Sequence, residues 1–302
     1  GPKYRIYKDN MIPNGWFYSQ WNLRTLRKAQ GLPIDGDIDG IWGEANLGKH
    51  MESVALSLTQ FPDPAEEKKI DDIAEVYEKT QQPDGYAHIH YIVENKPHWD
   101  PAFLDGCHEG YVRGHLTEAA IAYYKATGKR KLLDVMIRAA DEAYNHFLGP
   151  GATPGFCGHA GYKMPLVELY RITGDRRYLE LARAWVEWRG RRKVQRYGNT
   201  PDSYYQDHVP IRDQHSLEGH AVRAIYFAGG LADLALVTGD PDYRLVAHRY
   251  WDSVTLRRMY ITGGIGAQGQ HEALGEDYEL PLAGYAESCA ANGLIDFASR
   301  MF

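Results

Sequence analysis

Cysteine is scarce in this sequence. Cys107, Cys157 and Cys289 are odd in number and far apart, which excludes a disulfide framework. An excess of basic charge is also missing. With 34 Lys and Arg against 40 Asp and Glu, the net charge is −6, and no nucleic-acid partner is expected. The one basic cluster, Arg189 to Arg196, reads as a solvated surface segment. The longest apolar run, Ala224 to Val237, is broken by Asp233, so neither a spanning helix nor a membrane partner is expected. Gly1 to Arg5 carry no apolar signal core, which leaves the compartment open between cytoplasm and periplasm. No stretch rich in Gly, Ser and Pro divides the chain, so residues 1–302 are expected to form one domain. Hydrophobic residues at 44% and charged residues at 25% exclude disorder for the bulk of the chain.

Helical periodicity dominates what remains. Asp63-Pro64-Ala65-Glu66 supplies an N-cap, a proline for the first turn and a glutamate at the third position, ahead of Ile70, Ile73 and Tyr77. A further apolar stripe runs through Leu116, Ala119, Ala120 and Tyr123 to Gly128, and another through Leu132, Leu133, Met136, Ala140 and Ala143. One junction recurs: Thr127-Gly128-Lys129, Thr173-Gly174-Asp175 and Thr238-Gly239-Asp240. Each reads as helix, glycine cap, short polar turn, helix. The glycines are 46 and 65 residues apart, too irregular for a solenoid. Irregular hairpins with long loops suggest an all-α fold, an α/α toroid. About ten helices are legible, fewer than the twelve that six closed hairpins need, so the toroid is expected to be incomplete in this chain. Twenty-two Tyr and seven Trp fit either sugar-binding walls or ordinary core.

Gly264-Ile265-Gly266-Ala267-Gln268-Gly269 matches the dinucleotide fingerprint formally, but it follows a helix rather than a strand. It reads instead as backbone that takes positive φ or passes close to a neighbour. Just beyond it, Glu272, Glu276, Asp277, Glu279 and Glu287 fall within sixteen residues, with Tyr278 and Tyr285 among them and Cys289 at the end. Carboxylates on a loop at a cleft suit glycoside hydrolysis, which needs a proton donor for the leaving oxygen and a nucleophile or base opposite. A solvated acidic loop is the plainer alternative. Glu287 and Cys289 are a partial zinc set, or a helix-terminal glutamate beside a thiol. His108, His159 and His220 stand near successive helix starts, where imidazoles can meet sugar hydroxyls or simply bond to the protein. His88-Ile89-His90 alternates like an exposed extended segment.

The runs Gln82 to Tyr86, His108 to Tyr111, Gly114 to Arg130, Leu166 to Tyr170, Gly219 to Ala224, Thr262 to Gly266 and Glu272 to Ala290 resemble glycoside hydrolase family 127, the β-L-arabinofuranosidase type. The resemblance extends from about Ile41 to Phe302, and its motifs are specific together rather than singly. It implies an (α/α)6 barrel and retaining hydrolysis of a terminal L-arabinofuranoside or related sugar. It further implies a cysteine nucleophile bound to a zinc ion held by one glutamate and three cysteines. Glu272 matches the general acid/base, Glu287 and Cys289 the Glu-x-Cys of the zinc set, and His108, His159 and His220 the sugar contacts.

The sequence departs from this pattern in three places. Pro281-Leu282-Ala283-Gly284 stands where the family commonly has Pro-Asn-Asp-Thr, with one residue fewer. Glu44 and Asn46 match an early aspartate pair only loosely. Both point to a divergent cleft. The family's two remaining ligands, a Cys-Cys pair that includes the nucleophile, lie downstream, and no cysteine follows Cys289 here. The expectation is the catalytic portion of a zinc-dependent hydrolase without its nucleophile region, closing helices or β-sandwich modules. A metal-independent sugar epimerase or unsaturated uronyl hydrolase on the same architecture is one alternative. A sugar-binding remnant without turnover is the other. The partner is a carbohydrate in every case, and assembly into oligomers stays open.

Overall fold

The recurrent Thr-Gly junction builds the hairpins, and the threonine does as much as the glycine. The structure is a computed structural model that describes residues 12, 15–16, 20–38, 40–191, 194 and 199–302. In it Gly128, Gly174 and Gly239 adopt φ of 76°, 74° and 69°, the left-handed cap conformation that costs a glycine little. Each preceding threonine bonds back into its helix, Thr127 to Tyr123 O, Thr173 to Leu169 O and Thr238 to Leu234 O. Its hydroxyl also accepts the N–H of Lys129, Asp175 or Asp240 across the turn. Asp175 and Asp240 then cap the following helices through Arg177 N and Asp242 N. A Cβ at Gly174 would meet nothing within 4 Å, so only φ is at stake. Gly174→Ala is therefore expected to cost about 1 kcal/mol, readable as a lowered midpoint in denaturant unfolding.

Among the described residues there are eleven α-helices and no strand, only isolated β-bridges. They are α1 (Gln20–Ala29), α2 (Glu44–Leu58), α3 (Pro64–Thr80), α4 (Ile89–Val93), α5 (Glu109–Thr127), α6 (Lys131–Leu148), α7 (Lys163–Thr173), α8 (Arg176–Glu187), α9 (Ala221–Thr238), α10 (Pro241–Arg257) and α11 (Ser288–Met301). The chain divides into two compact units, one of Gly1–Trp99 with His108–Gly151, the other of Asp100–Cys107 with Ala152–Phe302.

In the first unit α2 packs along α5, and Gly48 permits the approach, since a Cβ there would lie 2.7 Å from the His115 carbonyl carbon. Buried carboxylates organise this unit. Glu44 accepts Tyr77 Oη at 2.6 Å and the backbone N–H groups of Ile89 at 3.2 Å and His90 at 2.7 Å. It thereby caps α4 from a distant helix. His88 and His90 are consequently buried rather than exposed, and the alternating pattern proves to be the entry to a helix. Arg113 is buried between the rings of Tyr86 and Trp99 and donates to Glu142 at 2.5 Å.

In the second unit α9 is the core helix, packed by α7, α10 and α11. It is the one described helix long and apolar enough to cross a membrane, contrary to the expectation drawn from Asp233, but 83% of it is buried inside the protein. Asp233 is itself buried and bonded to Arg300 Nε at 2.6 Å and Arg171 at 3.2 Å. Cys107 and Cys157, isolated in sequence, are buried with their Sγ atoms 3.5 Å apart. Arg189 departs from the solvated reading of its cluster: it is buried against Phe156 and Phe227 and donates to Tyr205 O at 2.9 Å. Arg191 is exposed, and Arg192, Lys193, Gln195 and Arg196 lie outside the described residues. The largest aromatics, including Trp99, Trp185, Tyr77 and Tyr250, are core.

Candidate active site

The loop after α10 folds on itself through short backbone ladders, and these bring the acidic cluster to the start of α9. Leu274 N donates to Gly219 O at 2.9 Å, and His220 forms an antiparallel bridge with Ala273. Ala273 and Gln268 exchange two hydrogen bonds, at 3.0 and 3.1 Å. On the other side, Ala286 N donates to Gly266 O at 2.7 Å and Tyr285 N to Ala267 O at 3.4 Å. The strip Gly266 to Gln268 thus lies between the Glu272 and Tyr285 segments. Gly266 has φ of 99° and a Cβ there would lie 3.3 Å from Ala221 Cβ, as expected of this glycine-rich run. The run neither follows a strand nor opens an α-helix, so the dinucleotide reading fails.

The five carboxylates divide by task. Glu279 holds the loop, accepting Gln268 Nε2 at 2.9 Å and Glu276 N at 2.8 Å. Asp277 accepts Arg258 Nε at 2.9 Å and pairs with Arg257 at 3.2 Å. Glu276 is exposed. Glu272 differs from all three. Its Oε2 lies 2.7 Å from His220 Nε2, and its side chain is 42% exposed. His271 and Glu272 are consecutive residues at φ of 56° and 50°, a left-handed pair that costs on the order of 1–3 kcal/mol per residue and clusters at functional sites.

His220 caps α9. Its Nδ1 accepts the N–H of Val222 at 3.1 Å, so in the neutral ring the proton resides on Nε2, facing Glu272. Tyr204 packs edge-on to His220 at 5.0 Å and to His271 at 6.1 Å. Tyr204 also lies under the Arg223 guanidinium, 4.9 Å from its ring centroid. Tyr204 was not marked by the sequence and Arg223 only as part of the Gly219 to Ala224 run, because their contact spans irregular chain with no periodic signal. Tyr285 completes the group. Burial pushes its hydroxyl above the ordinary tyrosine value, and the charges of Glu272 and Glu287, a hydrogen bond with Glu272 and the Cys289 thiol push the same way. Glu287 is the N-cap of α11 without a side-chain cap bond, and Cys289 is half-buried in its first turn.

The structure therefore gathers Glu272, Glu287 and Cys289 around Tyr285, with His220 joined through Glu272. His159 lies in the same unit, buried and edge-on to Tyr226 of α9 at 5.7 Å. It precedes α7 by a turn rather than capping it. His108 belongs to the first unit, where it caps α5 at φ of 54° and packs edge-on to Tyr111 at 5.9 Å. Among the described residues no group of three or more His, Cys, Asp or Glu side chains is arranged to hold a metal, so Glu287 and Cys289 stand as two donors.

Helical hairpins with a carboxylate and a phenol from the loop after α10 gathered at the imidazole that caps α9 define an all-α domain with a polar loop site. Comparison with known proteins makes this specific. The family model for the β-L-arabinofuranosidase GH127 catalytic domain matches residues 6–302, and the chain belongs to that family. A non-reducing end β-L-arabinofuranosidase of Bifidobacterium longum subsp. longum is 33% identical, over 92% of this chain and 45% of the relative. The crystal structure of a GH127 β-L-arabinofuranosidase from Geobacillus stearothermophilus T6 is 34% identical. It superposes with a TM-score of 0.91 over 98% of this chain and 50% of that one. A GH127 β-arabinofuranosidase structure gives 0.87 at 34% identity, over 96% and 47%. The fold is thus the all-α, α/α-barrel type expected from the sequence. The chain spans about half the length of these relatives.

Proposed function

We propose that this chain carries the acid/base centre of a retaining glycoside hydrolase that releases a terminal L-arabinofuranose or a closely related sugar. The observation that carries the reading is the pairing of Glu272 with His220 at 2.7 Å on a strained, half-exposed loop. Membership of the GH127 family and the activity printed for the Bifidobacterium relative support the substrate class. In this reading Glu272 gives a proton to the leaving oxygen as the glycosidic bond breaks, then takes one from the water that releases the sugar. Within the second unit, His159 meets the sugar's hydroxyls, and His220 stands beside the sugar through Glu272.

Glu287 and Cys289, a carboxylate and a thiol two residues apart, fit a zinc ion as two of the four donors such a site takes. When bound, zinc keeps its thiol ligands ionised at neutral pH. The other two donors, one of them the nucleophilic cysteine, are proposed to come from outside residues 1–302.

Product analysis tests the proposal. A protein that holds this chain together with the remaining length of its relatives should release L-arabinose from a non-reducing-end β-L-arabinofuranoside, with the β-anomer appearing first by proton NMR. An epimerised sugar with its linkage intact, or initial release of the α-anomer, would contradict it.

A further inference from the structure

His220 does more than touch sugar, and the reason lies in its two nitrogens. Nδ1 is committed to the backbone, accepting Val222 N–H at 3.1 Å as the cap of α9. In the neutral imidazole the remaining proton therefore sits on Nε2, which points at Glu272 Oε2 across 2.7 Å. Three further constraints keep the ring in place. His220 is bridged to Ala273, next to Glu272. Tyr204 closes one edge of the ring at 5.0 Å. Gly219, at φ of 86°, fixes the preceding backbone so closely that a Cβ there would fall 1.9 Å from Ser203 O.

We infer that His220 is the positioning residue for Glu272: its helix-cap bond fixes the Nε2–H tautomer, and that N–H holds one carboxylate oxygen and aims the other at the leaving group. The inference rests on the reading of Glu272 as acid/base. A carboxylate in the left-handed backbone of Glu272 and 42% exposed has other rotamers open to it, and a donor on a rigid ring, beside the Tyr285 hydroxyl, selects among them. With Oε2 committed as an acceptor, the transferable proton resides on Oε1, so His220 also fixes which oxygen delivers it.

Two measurements test this. Nitrogen-15 NMR of the chain itself should find the neutral His220 ring with Nε2 protonated and Nδ1 bare, and Glu272→Gln should move the Nε2 signal. A protonated Nδ1 overturns the proposal without any need for turnover. The second is a double-mutant cycle in the active protein. His220→Asn keeps a cap acceptor for Val222 but is too short to reach Glu272, so the melting temperature should stay within a few degrees. The expected loss in kcat/KM is about 10–100-fold, carried mostly by kcat. In the Glu272→Gln background the same change should cost less than about threefold, because its route is already gone. Independent, multiplying losses, or a loss confined to KM, reduce His220 to a sugar contact and overturn the proposal. If Glu272→Gln alone costs nothing, the acid/base reading has failed instead.

Discussion

Glu272→Gln is expected to lower kcat/KM by about 10²–10⁴-fold on a substrate with an unactivated leaving group, with little change in stability. The amide cannot deliver a proton, yet its oxygen still accepts the Nε2–H of His220, so the loop keeps its shape. The side chain is 42% exposed, and the amide is close to the carboxylate in size, so packing changes little. The expected signature is thus a large kinetic loss with an unchanged melting temperature. A loss of stability in step with activity would mark Glu272 as a structural carboxylate, the part that Glu279 and Asp277 already fill.

Gly219→Ala is the largest expected structural effect. The residue sits at φ of 86°, and an added Cβ would lie 1.9 Å from the carbonyl oxygen of Ser203. Backbone must move on one side or the other, for a combined strain and overpacking cost of about 3 kcal/mol. The shift falls on the residue whose carbonyl receives Leu274 N and whose neighbour is His220. Thermal unfolding should therefore show a clear drop, and kcat/KM should fall even at temperatures where the variant remains folded. Gly174→Ala, also at positive φ but with open space around it, is the control that separates conformational cost from collision.

The parts legible in sequence are those set by local chemistry. The Thr-Gly-Asp junctions announce the hairpins because the threonine hydroxyl, the left-handed glycine and the aspartate cap all act within a few residues. Glu272, Glu287 and Cys289 were legible as a loop cluster for the same reason. What escaped was set at a distance. His88-Ile89-His90 alternates as a strand would, but the carboxylate of Glu44, from a helix more than forty residues earlier, accepts two of its N–H groups and makes a helix start. Arg189 looked solvated until Phe156 and Phe227 are seen to enclose it. Tyr204 reaches His220 only through the folded loop, and no spacing rule joins them. The division of labour among the carboxylates was equally hidden, since the arginines that occupy Asp277 come from the end of α10.

The most direct measurement compares kcat/KM for Glu272→Gln on two substrates that share a sugar, one with an alkyl leaving group and one with an acidic phenol. The first needs its leaving oxygen protonated and the second does not, and kcat/KM reports only the steps up to glycosidic cleavage. If Glu272 is the acid, the variant should lose at least a hundredfold on the alkyl glycoside and less than about tenfold on the phenyl one. Equal losses on both would contradict the account.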